Sequence, residues 1–189
     1  MKEEDKMTYQ IDIAGMKRNL KLCPVSDDMQ IAAFILYGDV EITEHAAAKL
    51  LEKAPEFDII LTAATKSIPL VYAMARQAGG CDYIVALKGA KVYMTDPIEA
   101  AVNSITTQRE QRVIIGDDDA KKMQGKRVLI VDDVISTGES LKALEQLAEK
   151  SGGNIVGKFA VLAEGDAYNR TDITVLGKLP LFDGEGNEK

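Results

Sequence analysis

The densest chemistry in this chain lies in Val128–Ser140, VLIVDDVISTGES. An apolar, β-branched run ends there at Asp132 and Asp133, and Ser136, Thr137, Gly138, Glu139 and Ser140 lead into the next helical pattern. Adjacent ionised carboxylates resist burial without partners, so they suit a strand end better than a core. Ligands of open parallel sheets bind beyond the carboxyl ends of the strands, which puts both aspartates where a ligand lies. They can accept hydrogen bonds from vicinal hydroxyls, such as those of a ribose, and can reach a magnesium ion directly or through water. The following turn offers backbone N–H groups at a helix start, three hydroxyls and a glycine that lets the backbone approach closely, all of which favour phosphate. A diol-accepting pair followed by a phosphate cradle matches a ribose 5-phosphate.

Other readings use the same residues. Ser136-x-x-Glu139 is also a capping box. A strand ending in two aspartates resembles a Walker B element, but that class needs G-x-x-x-x-G-K-[ST], and the nearest candidate, Gly125-Lys126, has Ala120 where the first glycine belongs. LIVDD also resembles the opening of a receiver domain, which would place most of its sheet after that point. A second candidate anion site is Ala63–Pro69, with Thr65, Lys66 and Ser67 after an apolar run. Its bland reading is a capped helix carrying Pro69 in its first turn.

The elements that must hold these segments alternate. Asp58–Ala63, Tyr83–Leu87, Arg127–Val131 and Ile155–Leu162 are short apolar runs, and Ile42–Leu51, Ile68–Gln77 and Leu141–Lys150 carry helical spacing. Strands alternating with helices imply right-handed crossovers, and near-continuous apolar runs fit strands covered on both faces. The expected fold is therefore α/β, a doubly wound parallel sheet. Tyr9–Ser26 reads as a hairpin with Gly15 at its turn, and Ser26-Asp27-Asp28 as the cap of a short helix through Ile31–Phe34. Lys88–Gly116 breaks the pattern and alternates like an antiparallel two-stranded excursion. Residues 1–30 are expected to form a leader and a hood, and 31–189 the α/β domain.

Composition narrows the function. The 189 residues carry a net charge of -7, which argues against a nucleic-acid binder that must neutralise many phosphates but leaves room for one small phosphorylated ligand. Two cysteines, Cys23 and Cys81, and the lone His45 are too few for a zinc site, and two free thiols are expected. MKEEDKM is unlike a signal peptide, and no apolar run approaches the ~20 residues that span a bilayer, so the expected location is cytoplasmic, with no membrane partner.

The run VDDVISTGES resembles the phosphoribosyl-diphosphate signature of type I phosphoribosyltransferases. The likeness extends from about Ile31 to Phe182 and is best with the adenine and xanthine group of purine-salvage enzymes. The resemblance implies that Asp132 and Asp133 hold the ribose hydroxyls and that Ile135, Ser136, Thr137, Gly138, Glu139 and Ser140 wrap the 5-phosphate. It makes Thr65, Lys66 and Ser67 part of a diphosphate loop, with Lys88 and Lys91 near the diphosphate. Met94–Gln108 resembles the mobile loop, in which Ser104, Thr106, Thr107 and Gln108 match an S-x-T-x-Q run of xanthine-type enzymes. Ile11–Leu22 is expected to form the hood over the base. The implied substrates are phosphoribosyl diphosphate and a purine base, adenine first and xanthine or hypoxanthine next, with Mg2+ as cofactor and a homodimer as assembly.

The chain also departs from that pattern. Leu87-Lys88 stands where many adenine-type enzymes carry Arg-Lys, and Gln108 stands near a loop glutamate, where it cannot exchange a proton as a carboxylate does. The alternatives are a non-catalytic sensor of phosphoribosyl diphosphate, as in purine-operon repressors of this fold, and an orotate-type enzyme.

Overall fold

The computed structural model describes residues 8–103 and 110–189. The apolar runs do form a five-stranded sheet. β4 (Ile59–Ala63), β5 (Asp82–Ala86), β8 (Arg127–Ile135), β9 (Asn154–Glu164) and β10 (Thr174–Leu179) lie in the order β10-β9-β8-β4-β5, and every neighbouring pair is parallel. The chain runs from β4 outward to β5, then returns to place β8 on the other side of β4. Strand order therefore reverses between β4 and β8, and such a switch point opens a crevice at the carboxyl ends.

Helices cover both faces. α1 (Val40–Leu51) and α2 (Ile68–Gln77) bury Ile42, Ala46, Leu50, Leu70 and Met74 in one apolar cluster with Ile60, Leu129 and Val131. α4 (Glu139–Lys150) presents Leu141, Leu144, Leu147 and Ala148, spaced three and four apart, to the opposite cluster. That second cluster also takes in Ala100 and Val113 of an antiparallel ribbon, β6 (Ile98–Asn103) and β7 (Glu110–Ile115), and Met123 of α3 (Asp117–Met123). The ribbon is the excursion expected for Lys88–Gly116, and it joins the rest through two backbone hydrogen bonds between Leu87 and Ile114.

The hood is a four-stranded antiparallel sheet, β1 (Thr8–Ile13), β2 (Met16–Ser26), β3 (Met29–Ala33) and β11 (Leu181–Asp183). Gly15, at φ +94°, makes the hairpin turn between β1 and β2. The helix expected through Ile31–Phe34 is not formed. Ser26-Asp27-Asp28 turns the chain instead, with Ser26 donating to the Asp28 carboxylate at 2.7 Å, and Met29–Ala33 pairs with both β2 and β11. Residue 31 lies inside β3, so the sheet draws strands from both ends of the chain. Asp39 ties hood to helix: its carboxylate accepts from Ile42 N–H as the N-cap of α1 and from Arg18 of β2 at 2.6 and 3.0 Å. Cys23 and Cys81 are free and half-buried. Among the described residues no helix is long and apolar enough to cross a membrane.

Candidate functional site

The two candidate segments meet at the switch point. Pairing between β4 and β8 ends at Leu61–Ile130, whereas β8 continues against β9 through Asp132–Ala160 to Ile135–Ala163. The strand thus runs past its β4 neighbour, four residues beyond the Val131 end expected from the apolar run. Asp132 and Asp133 occupy the stretch that has lost that neighbour. The loop after β4 crosses the gap.

Ser67 makes the crossing. It sits at the N-cap of α2, with Pro69 in the first turn, but its hydroxyl does not cap the helix. Its Oγ donates to Asp132 Oδ1 at 2.5 Å and accepts from the Asp133 N–H at 3.1 Å. The capped-helix reading of Ala63–Pro69 therefore fails at its capping atom. Lys66 Nζ lies 2.9 Å from Asp133 Oδ2, a carboxylate that is only 3% exposed. The ammonium supplies charge there without an aligned hydrogen bond, so this buried oxygen still has no directed donor. Burial is the largest single influence and pulls the Lys66 ammonium down, but the close contact with Asp133 and the charge of Asp132 together outweigh it, leaving Lys66 firmly cationic.

Asp132 keeps an open edge toward the cleft but is otherwise densely enclosed. Desolvation and then the neighbouring Asp133 charge raise its carboxyl to about 7. Two carboxylates held this close favour any ligand that brings hydroxyl donors or positive charge to them.

The turn into α4 follows at once. α4 begins after Gly138, whose φ of +80° is left-handed and suits glycine, and no side chain caps the helix. Ser136 is thus not an N-cap, and the capping box does not form. The first N–H groups of α4 stand at a hollow lined by Asp132 and Ile135–Leu141, which include Ser136, Thr137, Gly138, Glu139 and Ser140. A second hollow of about 160 Å³ adjoins it, sharing Asp132, Val134 and Ser140, and is lined by Thr65, Lys66, Ser67, Lys88 and Asp133.

Placement of the other residues is uneven. Lys88 reaches the second hollow, while Lys91 lies outside its lining in an exposed turn. Ser104, Thr106, Thr107 and Gln108 lie outside the described residues. Arg112, which no motif pointed to, also lines the second hollow, from β7, with its Nε 3.1 Å from Glu99. Arg112 is exposed beside three consecutive buried residues, Val113, Ile114 and Ile115, and only the folded ribbon brings it to the cleft. Lys66, Lys88 and Arg112 together make a cationic wall opposite two carboxylates, in a chain of net charge -7.

Asp132 and Asp133 also suit Mg2+ in chemistry, being hard oxygen donors with one buried oxygen lacking a directed partner. They are too few to hold the ion alone, since no group of three or more metal-binding side chains occurs among the described residues. Mg2+ bound by one or two carboxylates takes its remaining oxygens from water and substrate phosphates.

Comparison with known proteins agrees with this geometry. The solved adenine phosphoribosyltransferase of Thermoanaerobacter pseudethanolicus superposes with a TM-score of 0.71 over 85% of this chain and 95% of its own, at 18% identity, a likeness of fold. In sequence, the adenine phosphoribosyltransferase of Thermosipho africanus is 31% identical over 140 residues, covering 73% of this chain and 78% of its own. The xanthine phosphoribosyltransferase of Bifidobacterium adolescentis is 29% identical over 133 residues, 68% of each chain. An orotate phosphoribosyltransferase of Coccidioides immitis is 32% identical over 115 residues, 61% of this chain and 44% of its own. Residues 39–177, which hold both candidate loops, the carboxylate pair and the whole parallel sheet save the end of β10, match the phosphoribosyl transferase domain, and the chain belongs to that family.

Proposed function

We propose that this protein transfers the 5-phosphoribosyl group of phosphoribosyl diphosphate to a purine base, adenine in the first place, releasing diphosphate and forming the nucleoside monophosphate. The observation that carries the reading is the single site at the switch point, where the carboxylate pair lies between a phosphate turn and a cationic wall. Asp132 and Asp133 would accept the ribose 2- and 3-hydroxyls, and Ile135–Ser140 would take the 5-phosphate. Thr65, Lys66, Ser67, Lys88 and Arg112 would face the diphosphate.

Bond cleavage at the anomeric carbon leaves positive charge on the sugar and negative charge on the leaving group. Two carboxylates under the ribose favour the first, and the cations of the wall favour the second. Held in one cleft, sugar and leaving group need little reorganisation as charge develops. When bound at Asp132 and Asp133, Mg2+ would screen the diphosphate. Lys66 stands between the two roles, since it must be shared between Asp133 and an incoming diphosphate.

Adenine is favoured because the relatives matched in sequence include several adenine enzymes and the structural likeness is to another. Xanthine is the second choice, on the Bifidobacterium adolescentis relative and on Ser104–Gln108. A homodimer is also part of the proposal. It fits the exposed apolar side chains Ile35, Tyr37, Val40 and Tyr72, of which Val40 and Tyr72 line one groove beside α1 and α2.

The deciding experiment is turnover with phosphoribosyl diphosphate, Mg2+ and a panel of adenine, xanthine, hypoxanthine, guanine and orotate. Adenine is expected to be consumed fastest. Preference for orotate, or binding of phosphoribosyl diphosphate with no turnover on any base, would reject the proposal.

A further inference from the structure

Arg170 lies outside the signature, thirty residues beyond the end of the phosphate turn in sequence, yet its guanidinium rests on that turn. A methyl group added at Gly138 would overlap Arg170 Nη1. The left-handed φ at residue 138 favours glycine, and any side chain there would have to displace the arginine's Nη1.

The guanidinium is held in place rather than merely near. Its Nε and Nη2 donate to the two oxygens of Asp172 at 2.9 and 2.8 Å, the two-pronged geometry that a planar guanidinium favours. Asp172 also accepts from Lys158 of β9 at 2.5 Å, and Lys158 lies 2.7 Å from Glu145 of α4. Arg170 follows the short 3-10 turn Gly165–Asn169 that leaves β9, whose end runs beside the end of β8. The network thus closes a ring: phosphate turn, Arg170, Asp172, Lys158, Glu145, then α4 back to the turn. The hydrogen bonds that Arg170 donates to Asp172 keep the guanidinium charged, and those from Arg170 and Lys158 hold Asp172 well below the usual carboxylate range. Arg170 Nη1 makes no hydrogen bond to another described residue, although the other two nitrogens do. Arg170 is not among the residues that line the hollow at the α4 N-terminus, whereas Gly138, which it contacts, is.

We infer that Arg170 is a positioning residue for the 5-phosphate, bracing the Gly138 turn from behind so that the N–H groups at the start of α4 are already arranged when the phosphate arrives. A turn fixed before binding loses less freedom on binding, and affinity gains accordingly. This rests on the ribose 5-phosphate reading of the turn, and the test separates the two.

The experiment is calorimetric titration of the whole protein with ribose 5-phosphate and, separately, with inorganic diphosphate, for wild type, R170Q and D172N. Wild type is expected to bind both. R170Q is expected to lose about tenfold in ribose 5-phosphate affinity while diphosphate affinity stays within about twofold, because the diphosphate loop lies on the other side of Asp132. D172N keeps the arginine charge but frees its guanidinium, and should weaken ribose 5-phosphate in the same direction. In turnover, R170Q should raise KM for phosphoribosyl diphosphate and leave kcat almost unchanged. If R170Q bound ribose 5-phosphate as wild type does, or lost both ligands alike, the inference would fail while the ribose reading stood. Wild-type affinity in D172N would also overturn it, by showing that charge alone suffices. If wild type itself ignored ribose 5-phosphate, both readings would fall together.

Discussion

The carboxylate pair is kept at a cost to the fold, and the cost has a sign. Asp132 titrates near 4 in an unfolded chain, and burial with the Asp133 charge raises it to about 7 in the native protein. Between those values the native state holds a proton that the unfolded state has released, so stability falls as pH rises through the window. Above about pH 7 the full penalty applies. D132N removes it while keeping an oxygen to accept from Ser67 and the Asp133 N–H. The variant should therefore melt higher than wild type at pH 8 and at the same temperature near pH 4, as followed by thermal denaturation across pH. Equal differences at both pH values would mean that Asp132 is not the group under strain. The same variant should bind phosphoribosyl diphosphate worse, because a neutral amide accepts from ribose hydroxyls and holds Mg2+ more weakly than a carboxylate does. Stability traded for charge at one position is what a binding role requires and a purely structural role does not.

At the scale of elements, the ribbon contributes chemistry as well as packing. β6 and β7 bury Ala100 and Val113 against α4 and turn Arg112 toward the cleft. R112Q should raise KM for phosphoribosyl diphosphate and weaken inorganic diphosphate by about tenfold, the loss of one charge-assisted contact, with ribose 5-phosphate affinity unchanged. Steady-state kinetics and calorimetry check both arms, and a loss shared by the two ligands would place Arg112 elsewhere. The sequence shows why this residue escaped notice while others did not. Asp132, Asp133, Ser136, Thr137 and Ser140 are close in sequence because one strand-to-helix connection carries them, so local spacing reports their chemistry. Arg112 and Arg170 reach the site only through tertiary approach, which leaves no spacing to read. Ile31–Phe34 was misread for a related reason. Ser-Asp-Asp serves a helix cap and a tight turn equally well, and the partner that makes Met29–Ala33 a strand, β11, arrives from residues 181–183. β10 was also overlooked: in Thr174–Leu179 only Leu179 is fully buried, and Gly177 interrupts the run, so the apolar signal that marked the inner strands is weak at this sheet edge.

Across the whole molecule, hood and parallel sheet share one interior. Ile11, Ile13, Leu20, Leu22 and Phe182 of the hood fall in the same buried cluster as Ile60, Val131, Phe159 and Leu179 of the main sheet and as α1 and α2. A hood with its own core could open alone, whereas one that completes a common core must unfold with it. Phe182 tests this best, because it comes from the far end of the chain, is 2% exposed and meets Tyr9 of β1 edge to face with ring centroids 5.0 Å apart. F182A removes a buried ring and should cost about 3–5 kcal/mol, a fall in Tm on the order of 10 °C for a chain of this size. The discriminating measurement is cooperativity. The near-ultraviolet circular dichroism that Y9F removes, which isolates Tyr9 from the five other tyrosines, and far-ultraviolet dichroism, sensitive to the helices of the main domain, should report one coincident transition in wild type and in F182A. If the tyrosine signal melted well before the helices, the hood would be a separately folding unit laid over the sheet.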